Sequence, residues 1–583
     1  MNSLLPLREK RFAVWRSVAR YRATLSIYIG VFFSSILGAM WVHQTTPNDL
    51  KYPWRVGNTD LSGIYSLAQA VGQSWFGMVN HSLGAPFTAD FSLVFIPDDL
   101  QIEILRVLTH LTGNPFVAVN LFYLLTFGLC ATTFLWLSDV FRFSRWISTP
   151  LALSYAWLPY HFTRMDAGHT FLAAYYMIPI GVIYLHRLFE YQSGSLPTFF
   201  PATLLKRIGF IGGIVAVGSS GTYYGVFFAL LALSTILIIP IQKQSVPTII
   251  TRKGLSIVVC FLYIAAPTLR IASSRFRGLE TVITRSPEES VQFGGSIARL
   301  LVPWGVWIPS KLRPIVLPTE FEWTISPVLV VIGVWILLIG IATSRAEPSN
   351  TSSHQQSSRY FFFWALFFYS TTGLGLVFAY TIDPSFRCWN RLSIVLMTFS
   401  LVAVADLLRR INKYKKTCLL LMFALVFTSQ LSPLKSSGIG SEPDQVSKDA
   451  FYSLQNTASV IRSELEPGCH ILQLPIMALP EGGQIGQVGN GSHLWLPLIL
   501  EDYRWTYGAV RGTTAGKFWT VNPPTAKQIV SKLNSNEICA VLIDSRGGDA
   551  DTLSIELLRS QNNSLRLKTI GEYQIATRKN NSP

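Results

Sequence analysis

The sequence has 583 residues, of which 50% are hydrophobic and only 14% are charged. A soluble protein usually carries about a quarter charged residues, so this composition excludes an ordinary soluble domain and predicts a polytopic α-helical membrane protein. The net charge of +16 does not indicate a nucleic-acid partner, because the basic residues lie mainly in short clusters between apolar runs.

Apolar runs with few or no charges predict about 11 transmembrane helices. The first run follows a cluster of arginines and has full spanning length, so we interpret it as a retained helix and not as a cleavable signal peptide. The stretch 207–241 has two interpretations, two helices joined by a turn or one span plus a re-entrant segment. The predicted runs are 23–43, 116–138, 146–160, 170–187, 207–219, 224–241, 254–270, 325–343, 360–379, 391–408 and 417–433.

The orientation follows from the lysines and arginines of the short loops. The first outer loop, 44–115, carries Lys51, Arg55 and Arg106 against six acidic residues, whereas the loops assigned to the cytoplasm are basic. Positive residues are retained on the cytoplasmic side. We therefore expect a multi-pass protein of the plasma or inner membrane with a cytoplasmic N-terminus and an extracytoplasmic C-terminus.

Two of the predicted outer loops are long, at 44–115 and 271–324. In the first, apolar residues recur at helical spacing over 60–78 and over 98–112, where Asp98 is suited to cap the second helix. Both stretches are too short or too polar to span a bilayer. We therefore expect helices that lie in the plane of the interface.

The composition changes after residue 433, which divides the chain into a membrane domain, 1–433, and an extracytoplasmic domain, 434–583. In the tail, predicted helices alternate with predicted strands, which is typical of a small α/β domain. Cys469 and Cys539 each open a strand, so they could form a disulfide in an oxidising compartment or remain two buried thiols. The predicted helices are 448–465, 524–534 and 551–560, and the strands are 469–475 and 538–544.

Asp60 begins the predicted loop helix and is the first candidate for chemistry. An ionisable group at the outer membrane face is costly to desolvate, which gives it functional weight. The alternative is that its carboxylate caps the helix, a role worth about 1 kcal/mol, and spacing alone favours that alternative. The same ordinary interpretation, a solvated or capping group, fits Asp49, Asp90, Asp98 and Asp99.

A second candidate is the turn 164–169, which joins two predicted helices on the outer face. Arg164, Asp166 and His169 lie within this short segment and could bind an anion and shuttle a proton. A capped turn with a surface pair between Arg164 and Asp166 is an equal alternative.

Three further clusters lie on predicted outer segments. Tyr223 and Tyr224 could stack on a sugar, although anchoring at the interface is the simpler role. Arg285 and Glu288 are candidates for substrate binding, although a solvated loop of mixed charge is the slightly favoured alternative. Arginines four residues apart at an outer helix end could grip a phosphate or reach along the interface. These two arginines are Arg387 and Arg391.

Eight short motifs are spread along the chain. They are SLGAPF at 82–87, GNPFVAVNL at 113–121, LPYHFTRMDAGH at 158–169, YYG at 223–225, RSPEES at 285–290, FRCWNRLS at 386–393, ILQLPI at 471–476 and YGAVRG at 507–512. In this order they resemble the GT-C superfamily of integral membrane glycosyltransferases, and in particular bacterial and archaeal GT-C-like membrane proteins. Members of that superfamily share many helices, a long first outer loop with interfacial helices and an early carboxylate, and often a soluble outer domain.

The resemblance implies sugar transfer from a polyprenyl-phosphate-linked donor to an envelope glycan or lipid acceptor at the outer face. It implies that Asp60 acts as general base or orients the acceptor, although the enzymes often carry paired acids where this chain has Thr59 before Asp60. His169 and Asp166 are the other catalytic candidates, and the cationic groups would stabilise the phosphate. Some members use a divalent cation such as Mg or Mn, whose ligands the sequence does not assign.

Two other functions are compatible with the sequence. A transporter or flippase of an envelope lipid should place ionisable residues near the middle of the membrane, whereas the charges here cluster at helix ends. A non-catalytic envelope-assembly protein remains a further alternative, because the tail shows no catalytic constellation.

Overall fold

The apolar runs of the sequence form helices in the computed structural model. The structure describes residues 5–57, 60–93, 98–240, 245–276, 285–303, 326–343, 352–410, 414–436, 445–480, 482–521, 523–548, 556 and 565–579. The helices of the membrane part are Leu5–His43, Pro115–Val140, Arg145–Ala156, Pro159–Asp166, Thr170–Ala173, Ile178–Ser193, Leu204–Ser219, Thr222–Ser234, Val246–Phe276, Glu289–Gln292, Ile297–Leu301, Val328–Ala342, Ser353–Tyr369, Leu374–Thr381, Ser393–Arg410, Lys415–Val426 and Ser432–Ser436.

Five of the described helices are long and apolar enough to cross a membrane, and two shorter helices are also apolar. These features confirm a helical membrane protein, but they do not confirm the predicted count of spans. The five long segments are Thr24–His43, Pro115–Val140, Val246–Ser273, Trp389–Arg410 and Lys415–Ser436, and the shorter ones are Thr222–Leu237 and Val328–Ala342.

Of the two interpretations of the stretch 207–241, the structure agrees with two helices, Leu204–Ser219 and Thr222–Ser234, which meet at Ser220 and Gly221. Residue 241 lies outside the described residues. Other predicted boundaries are corrected. The predicted run 170–187 is a short helix followed by the helix Ile178–Ser193, which has a proline in its first turn. The predicted run 360–379 also contains parts of two helices, because one helix ends at Tyr369 and the next begins at Leu374.

Glycines allow the helices of the membrane part to approach closely. A Cβ at Gly128 would overlap the ring of Phe32 on the N-terminal helix. Likewise, a Cβ at Gly333 would overlap the backbone of Ser400 on the helix Ser393–Arg410. Small residues at helix contacts are typical of membrane proteins, where close packing replaces the hydrophobic driving force.

The first outer loop contains two helices and a small hairpin. The helices are Leu61–Gly72 and Asp99–Thr112, so both predicted loop helices are present, and the first ends earlier than predicted. The hairpin pairs β1, Val79–Asn80, with β2, Ala89–Asp90.

The tail forms a five-stranded sheet with helices, as the alternation of strands and helices predicts. Strands β3, β4 and β5 are parallel, and β7 joins β5 to β6 in antiparallel pairs, which gives the order β4-β3-β5-β7-β6. The strands are β3 His470–Leu474, β4 Arg504–Trp505, β5 Ala540–Asp544, β6 Leu565–Ile570 and β7 Tyr573–Arg578, and the helices are Gln445–Glu464, Trp495–Ile499, Thr514–Thr520 and Ala526–Asn534.

Cys469 and Cys539 are bonded in a disulfide, which selects one of the two states that the sequence leaves open. The bond joins residues next to the neighbouring strands β3 and β5. Of the predicted helix 551–560, residues 551–555 and 557–560 lie outside the described residues.

The first outer loop extends the C-terminal sheet. Ser82 to Ala85 run beside β4, with the Trp505 N–H donating to the Ser82 carbonyl at 2.7 Å and the Ala85 N–H donating to the Trp505 carbonyl at 2.9 Å. Leu83 and Trp505 form a parallel bridge. The motif at 82–87 therefore serves as a short added strand at the sheet edge.

Candidate functional site

Asp60 precedes the loop helix Leu61–Gly72, but its carboxylate does not cap that helix. Oδ2 of Asp60 lies 3.3 Å from Nε2 of His169, and the Asp60 side chain is 67% exposed. Only the backbone carbonyl of Asp60 receives the first helical N–H groups, from Gly63 and Ile64. The capping role that spacing favours is wrong, and the carboxylate is directed to the turn at 164–169.

Gly168 brings this turn against the backbone of Asp60. It adopts the left-handed conformation with φ +79°, which glycine tolerates at low cost. A Cβ at this position would lie 2.7 Å from the Leu61 nitrogen and 3.0 Å from the Asp60 nitrogen. The absence of a side chain at Gly168 is therefore what lets His169 reach the carboxylate.

The Asp60–His169 pair consists of a carboxylate and a neutral imidazole at neutral pH. The contact with His169 holds the pKa of Asp60 below its usual value, although partial desolvation of the carboxyl acts in the opposite direction. Burial lowers the pKa of His169, helped by the positive charges of Arg391 and Arg164 and opposed by Asp60. Nε2 is the ring nitrogen of His169 that faces the Asp60 carboxylate. The pair leaves Asp60 ionised and exposed, as a base requires.

Two arginines extend the positive charge of the site. The guanidinium of Arg391 stacks on the ring of Tyr223 at 4.1 Å, and its charge acts on both Asp60 and His169. The guanidinium of Arg164 stacks on Tyr160 at 4.8 Å and is 2% exposed. Nε and Nη2 of Arg164 have no hydrogen-bond partner among the described residues. A surface pair of Arg164 with Asp166 is therefore wrong, and the buried donors of Arg164 are suited to an anion.

The two tyrosines of the YYG motif have different surroundings. Tyr224 is fully buried, donates to the Leu172 carbonyl at 2.6 Å and contacts the Tyr160 hydroxyl at 3.2 Å. Tyr223 lies under Arg391 and donates to the Ser385 carbonyl at 3.3 Å. Tyr224 thus packs inside the protein, whereas Tyr223 supports the guanidinium of Arg391.

Asp166 belongs to the same turn as His169. Its backbone carbonyl accepts a hydrogen bond from Arg55 at 3.1 Å. The contact from Arg55 ties the first outer loop to the turn. The structure therefore places Asp166 beside the pair without joining it to Asp60.

The remaining sequence candidates form a second set of contacts. Arg387 is paired with Glu289 and stacks on Phe293 at 4.7 Å. Glu288 is exposed and accepts from the Tyr380 hydroxyl at 2.8 Å, and Arg285 is half-buried in the segment just before it. The RSPEES and FRCWNRLS motifs thus meet each other, but of these candidates only Arg391 acts on Asp60.

Asp98 joins the site although the sequence suggests an ordinary cap. Its side chain makes no bond to its own helix, and Oδ1 accepts from the Thr222 backbone N–H at 2.8 Å instead. Burial raises the pKa of Asp98 to about 6, and the charge of Arg391 opposes that effect. Because the contact joins segments 124 residues apart, no local pattern could have predicted it.

A divalent cation would need several carboxylate or histidine ligands close to Asp60. In the part of the chain that the structure describes, no three His, Cys, Asp or Glu side chains come together in a way that could hold a metal ion. The ligands for Mg or Mn thus stay unassigned.

No protein-family model matches the sequence, and no curated protein matches it either. Solved structures do match in fold. The oligosaccharyltransferase AglB from Archaeoglobus fulgidus, with an inhibitory peptide and a dolichol-phosphate, is 11% identical, with 95% of this chain and 75% of that chain covered and a TM-score of 0.45. The same enzyme with Zn and sulfate is 10% identical, with 92% and 71% covered and a TM-score of 0.45.

A mutant of the arabinofuranosyltransferase AftD from mycobacteria is 12% identical, with a TM-score of 0.50. The match covers 94% of this chain but only 41% of AftD, so the likeness concerns the fold of one part of that enzyme. Both AglB and AftD are GT-C glycosyltransferases. The structural neighbours of this chain are therefore GT-C membrane glycosyltransferases, as the resemblance of its sequence motifs predicts.

Proposed function

We propose that this protein is a membrane glycosyltransferase that moves a sugar from a polyprenyl-phosphate-linked donor to an envelope glycan or lipid acceptor at the outer face. The observation that carries the proposal is the exposed, ionised carboxylate of Asp60, held by His169 and next to Arg391. A base beside an arginine suits the transfer of a group that leaves a phosphate behind. The likeness of fold to GT-C enzymes supports the same class of reaction.

The proposed reaction is a single displacement at the anomeric carbon of the sugar. The acceptor oxygen forms a bond to this carbon while the bond from the carbon to the phosphate oxygen breaks, and polyprenyl phosphate leaves with the electron pair. Asp60 takes the proton from the acceptor hydroxyl, and His169 keeps the carboxylate ionised and oriented. Arg391 stabilises the charge on the leaving phosphate, and the buried charge of Arg164 adds to the positive potential around His169.

We also propose that this site faces the extracytoplasmic side, with a membrane domain at 1–433 and an outer domain at 434–583. The asymmetry of basic residues between the loops supports this sidedness. The disulfide between Cys469 and Cys539 supports it independently, because structural disulfides persist in oxidising compartments.

The test is sugar transfer by the purified full-length protein in lipid vesicles, with a panel of polyprenyl-phosphate hexoses and pentoses. Asp60→Asn keeps the shape of the side chain but cannot take a proton, so we expect a loss of about 10²- to 10⁴-fold in kcat. The matched control is Asp90→Asn in the same loop, whose carboxylate accepts from the Ser92 N–H at 2.9 Å.

Full activity in Asp60→Asn would exclude Asp60 as the base. Vesicles in which the wild type moves labelled lipid between leaflets without any sugar transfer would instead support the transporter.

A further inference from the structure

The first outer loop makes hydrogen bonds to the turn between the helices Leu204–Ser219 and Thr222–Ser234. Asp98 accepts from the N–H of Thr222, which begins the helix Thr222–Ser234, and the Thr222 hydroxyl lies 3.4 Å from the same oxygen. Gln101 donates to the Ser220 carbonyl at 2.8 Å. Two side chains of one loop helix therefore hold both sides of this turn.

A third contact fixes the same end of the loop helix. Asp99 is paired with Arg270 on the helix Val246–Phe276. Gln101 also donates to the Ala174 carbonyl at 3.1 Å and accepts from the Tyr176 hydroxyl at 3.0 Å. Because Asp99 and Gln101 already attach the loop helix, the buried charge of Asp98 is not needed for attachment alone.

The turn that Asp98 holds leads directly into Tyr223, whose ring supports the guanidinium of Arg391. Tyr223 follows Thr222 directly, and its ring lies under the guanidinium of Arg391 at 4.1 Å. The charge of Arg391 acts on Asp98 and also on Asp60. A displacement of Thr222 would therefore move Tyr223 and change where Arg391 stands relative to Asp60.

We propose that Asp98 is a positioning residue of the site, which holds Thr222 and thereby sets the Arg391–Tyr223 stack beside Asp60. This inference rests on the proposed function for its kinetic consequences, but its structural content does not. Hydrogen bonds to a charged acceptor are about twice as strong as those to a neutral one, so the ionised carboxylate holds the turn better than a neutral amide would.

The ionisation of Asp98 provides a signature that a purely structural role lacks. Its pKa of about 6 is the result of burial, which the Thr222 N–H and the charge of Arg391 oppose and the charge of Asp99 reinforces. Asp99 is itself paired with Arg270. As the pH falls through about 6, Asp98 becomes protonated and its grip on Thr222 weakens, so kcat/KM should decrease on this acid side.

The experiment compares the wild type with Asp98→Asn in the vesicle assay. The amide can still accept from Thr222 but carries no charge, so we expect the KM for the lipid donor to rise roughly tenfold while kcat is largely kept. The decrease of kcat/KM near pH 6 should be absent in the variant. Asp90→Asn should keep the KM and the pH profile of the wild type, since its partner Ser92 lies within the loop.

A second readout does not depend on sugar transfer. Cys388 is buried and lies three residues before Arg391 in the chain, so its alkylation by a maleimide reports the position of this segment. We expect faster alkylation of Cys388 in Asp98→Ala, with the rate at Cys418 on the helix Lys415–Val426 as internal reference.

The two readouts separate the two proposals. If the wild type transfers no sugar but Asp98→Ala still accelerates alkylation of Cys388, the glycosyltransferase proposal fails and the positioning role stands. Wild-type kinetics, pH profile and alkylation in the Asp98 variants would overturn the positioning role while leaving the glycosyltransferase proposal intact.

Discussion

At the scale of single residues, Asp60 depends on a turn that is remote in sequence. His169 supplies the contact that lowers the pKa of the Asp60 carboxyl, and Gly168 supplies the space for that contact. Both residues belong to the LPYHFTRMDAGH motif. The glycine of this motif is therefore as important to the geometry of the pair as the histidine is to its electrostatics.

Gly168→Ala should lower kcat/KM strongly while changing the unfolding temperature only slightly. The new Cβ would lie within 3.0 Å of the backbone of Asp60 and Leu61, so one of the two segments must move. A displacement of about 1 Å can cost about 10²-fold in rate, and we expect a decrease of that order in kcat/KM. Sugar transfer and thermal unfolding of the purified variant are the measurements.

The control for this prediction is Gly113→Ala. Gly113 ends the loop helix Asp99–Thr112 with φ +63°, and a Cβ there meets nothing within 4 Å. Alanine at Gly113 is therefore strained by the same left-handed conformation, but its Cβ does not approach another segment as it would at Gly168. Equal losses of activity in the two variants would show that strain, and not the approach to Asp60, causes the effect.

The residue types of the site could be predicted from the sequence, but their pairing could not. Asp60, His169, Tyr223 and Arg391 stand out as polar groups on outer segments. The position of Asp98 before a helix predicts a cap, and only the fold shows that its carboxylate accepts a hydrogen bond from the Thr222 N–H instead. Local patterns report on neighbours within a few residues, whereas this site is built from contacts between distant segments.

At the scale of elements, the apolar runs predicted where helices lie better than where they end. Breaks fall where glycine or proline interrupts a run, as at Gly221 and at Pro179. The sequence does not predict the strand at 82–85, because this short loop segment has no strand pattern of its own and is extended only where it lies beside β4. The partner strand, and not local propensity, makes it extended.

Trp495 connects the C-terminal domain to the first outer loop. Its indole N–H donates to the Gly57 carbonyl at 3.0 Å, a few residues before Asp60, and its ring contacts Tyr65 at 6.1 Å between centroids. Trp495→Phe removes the hydrogen bond and leaves the half-buried Gly57 carbonyl without this donor, a loss of about 1 kcal/mol. We expect kcat/KM to fall about fivefold to tenfold because the segment before Asp60 loosens.

A second buried tryptophan serves as the control for Trp495→Phe. Trp505 donates its indole N–H to the Leu500 carbonyl at 3.2 Å, which is a bond within the C-terminal domain. Trp505→Phe should lower the unfolding temperature about as much as Trp495→Phe does, but it should preserve kcat/KM. A matching decrease of activity in Trp505→Phe would mean that general destabilisation, and not the link to Gly57, accounts for the result.

At the scale of the whole molecule, the membrane part and the C-terminal sheet share one hydrophobic core. Phe451 and Ile471 from the tail belong to the same buried cluster as Tyr65 and Phe116 from the membrane part. A separate, smaller cluster, including Leu472, Trp519 and Val541, lies on the other side of the sheet. The compositional change after residue 433 therefore marks a change of environment and not a division of the core.

Polar contacts reinforce this shared core around its edge. Lys448 is paired with Asp49 at 2.7 Å, and the Tyr52 and Tyr452 hydroxyls lie 2.8 Å apart. The indole N–H of Trp519 donates to the Ala85 carbonyl at 2.6 Å. Together with the added strand at 82–85, these contacts hold the first outer loop between the membrane helices and the C-terminal sheet.

The covalent connection between the two parts should therefore be dispensable once the protein has folded. We would insert a protease site between Ser436 and Gln445 and cleave the purified protein in vesicles. The two fragments should stay together through size-exclusion chromatography, because the buried aromatic contacts of Phe451 and Trp495 would otherwise be exposed to water. The cleaved protein should keep its kcat/KM.

Lys448→Glu in the cleaved protein places like charges at the contact with Asp49 and should weaken the association measurably, most strongly at low salt. Lys527→Glu makes the same charge change on the helix Ala526–Asn534, away from that contact, and should not. If the unmodified fragments separate after cleavage while the membrane fragment still transfers sugar at the full rate, the tail does not hold the first loop, and the catalytic site is complete without it.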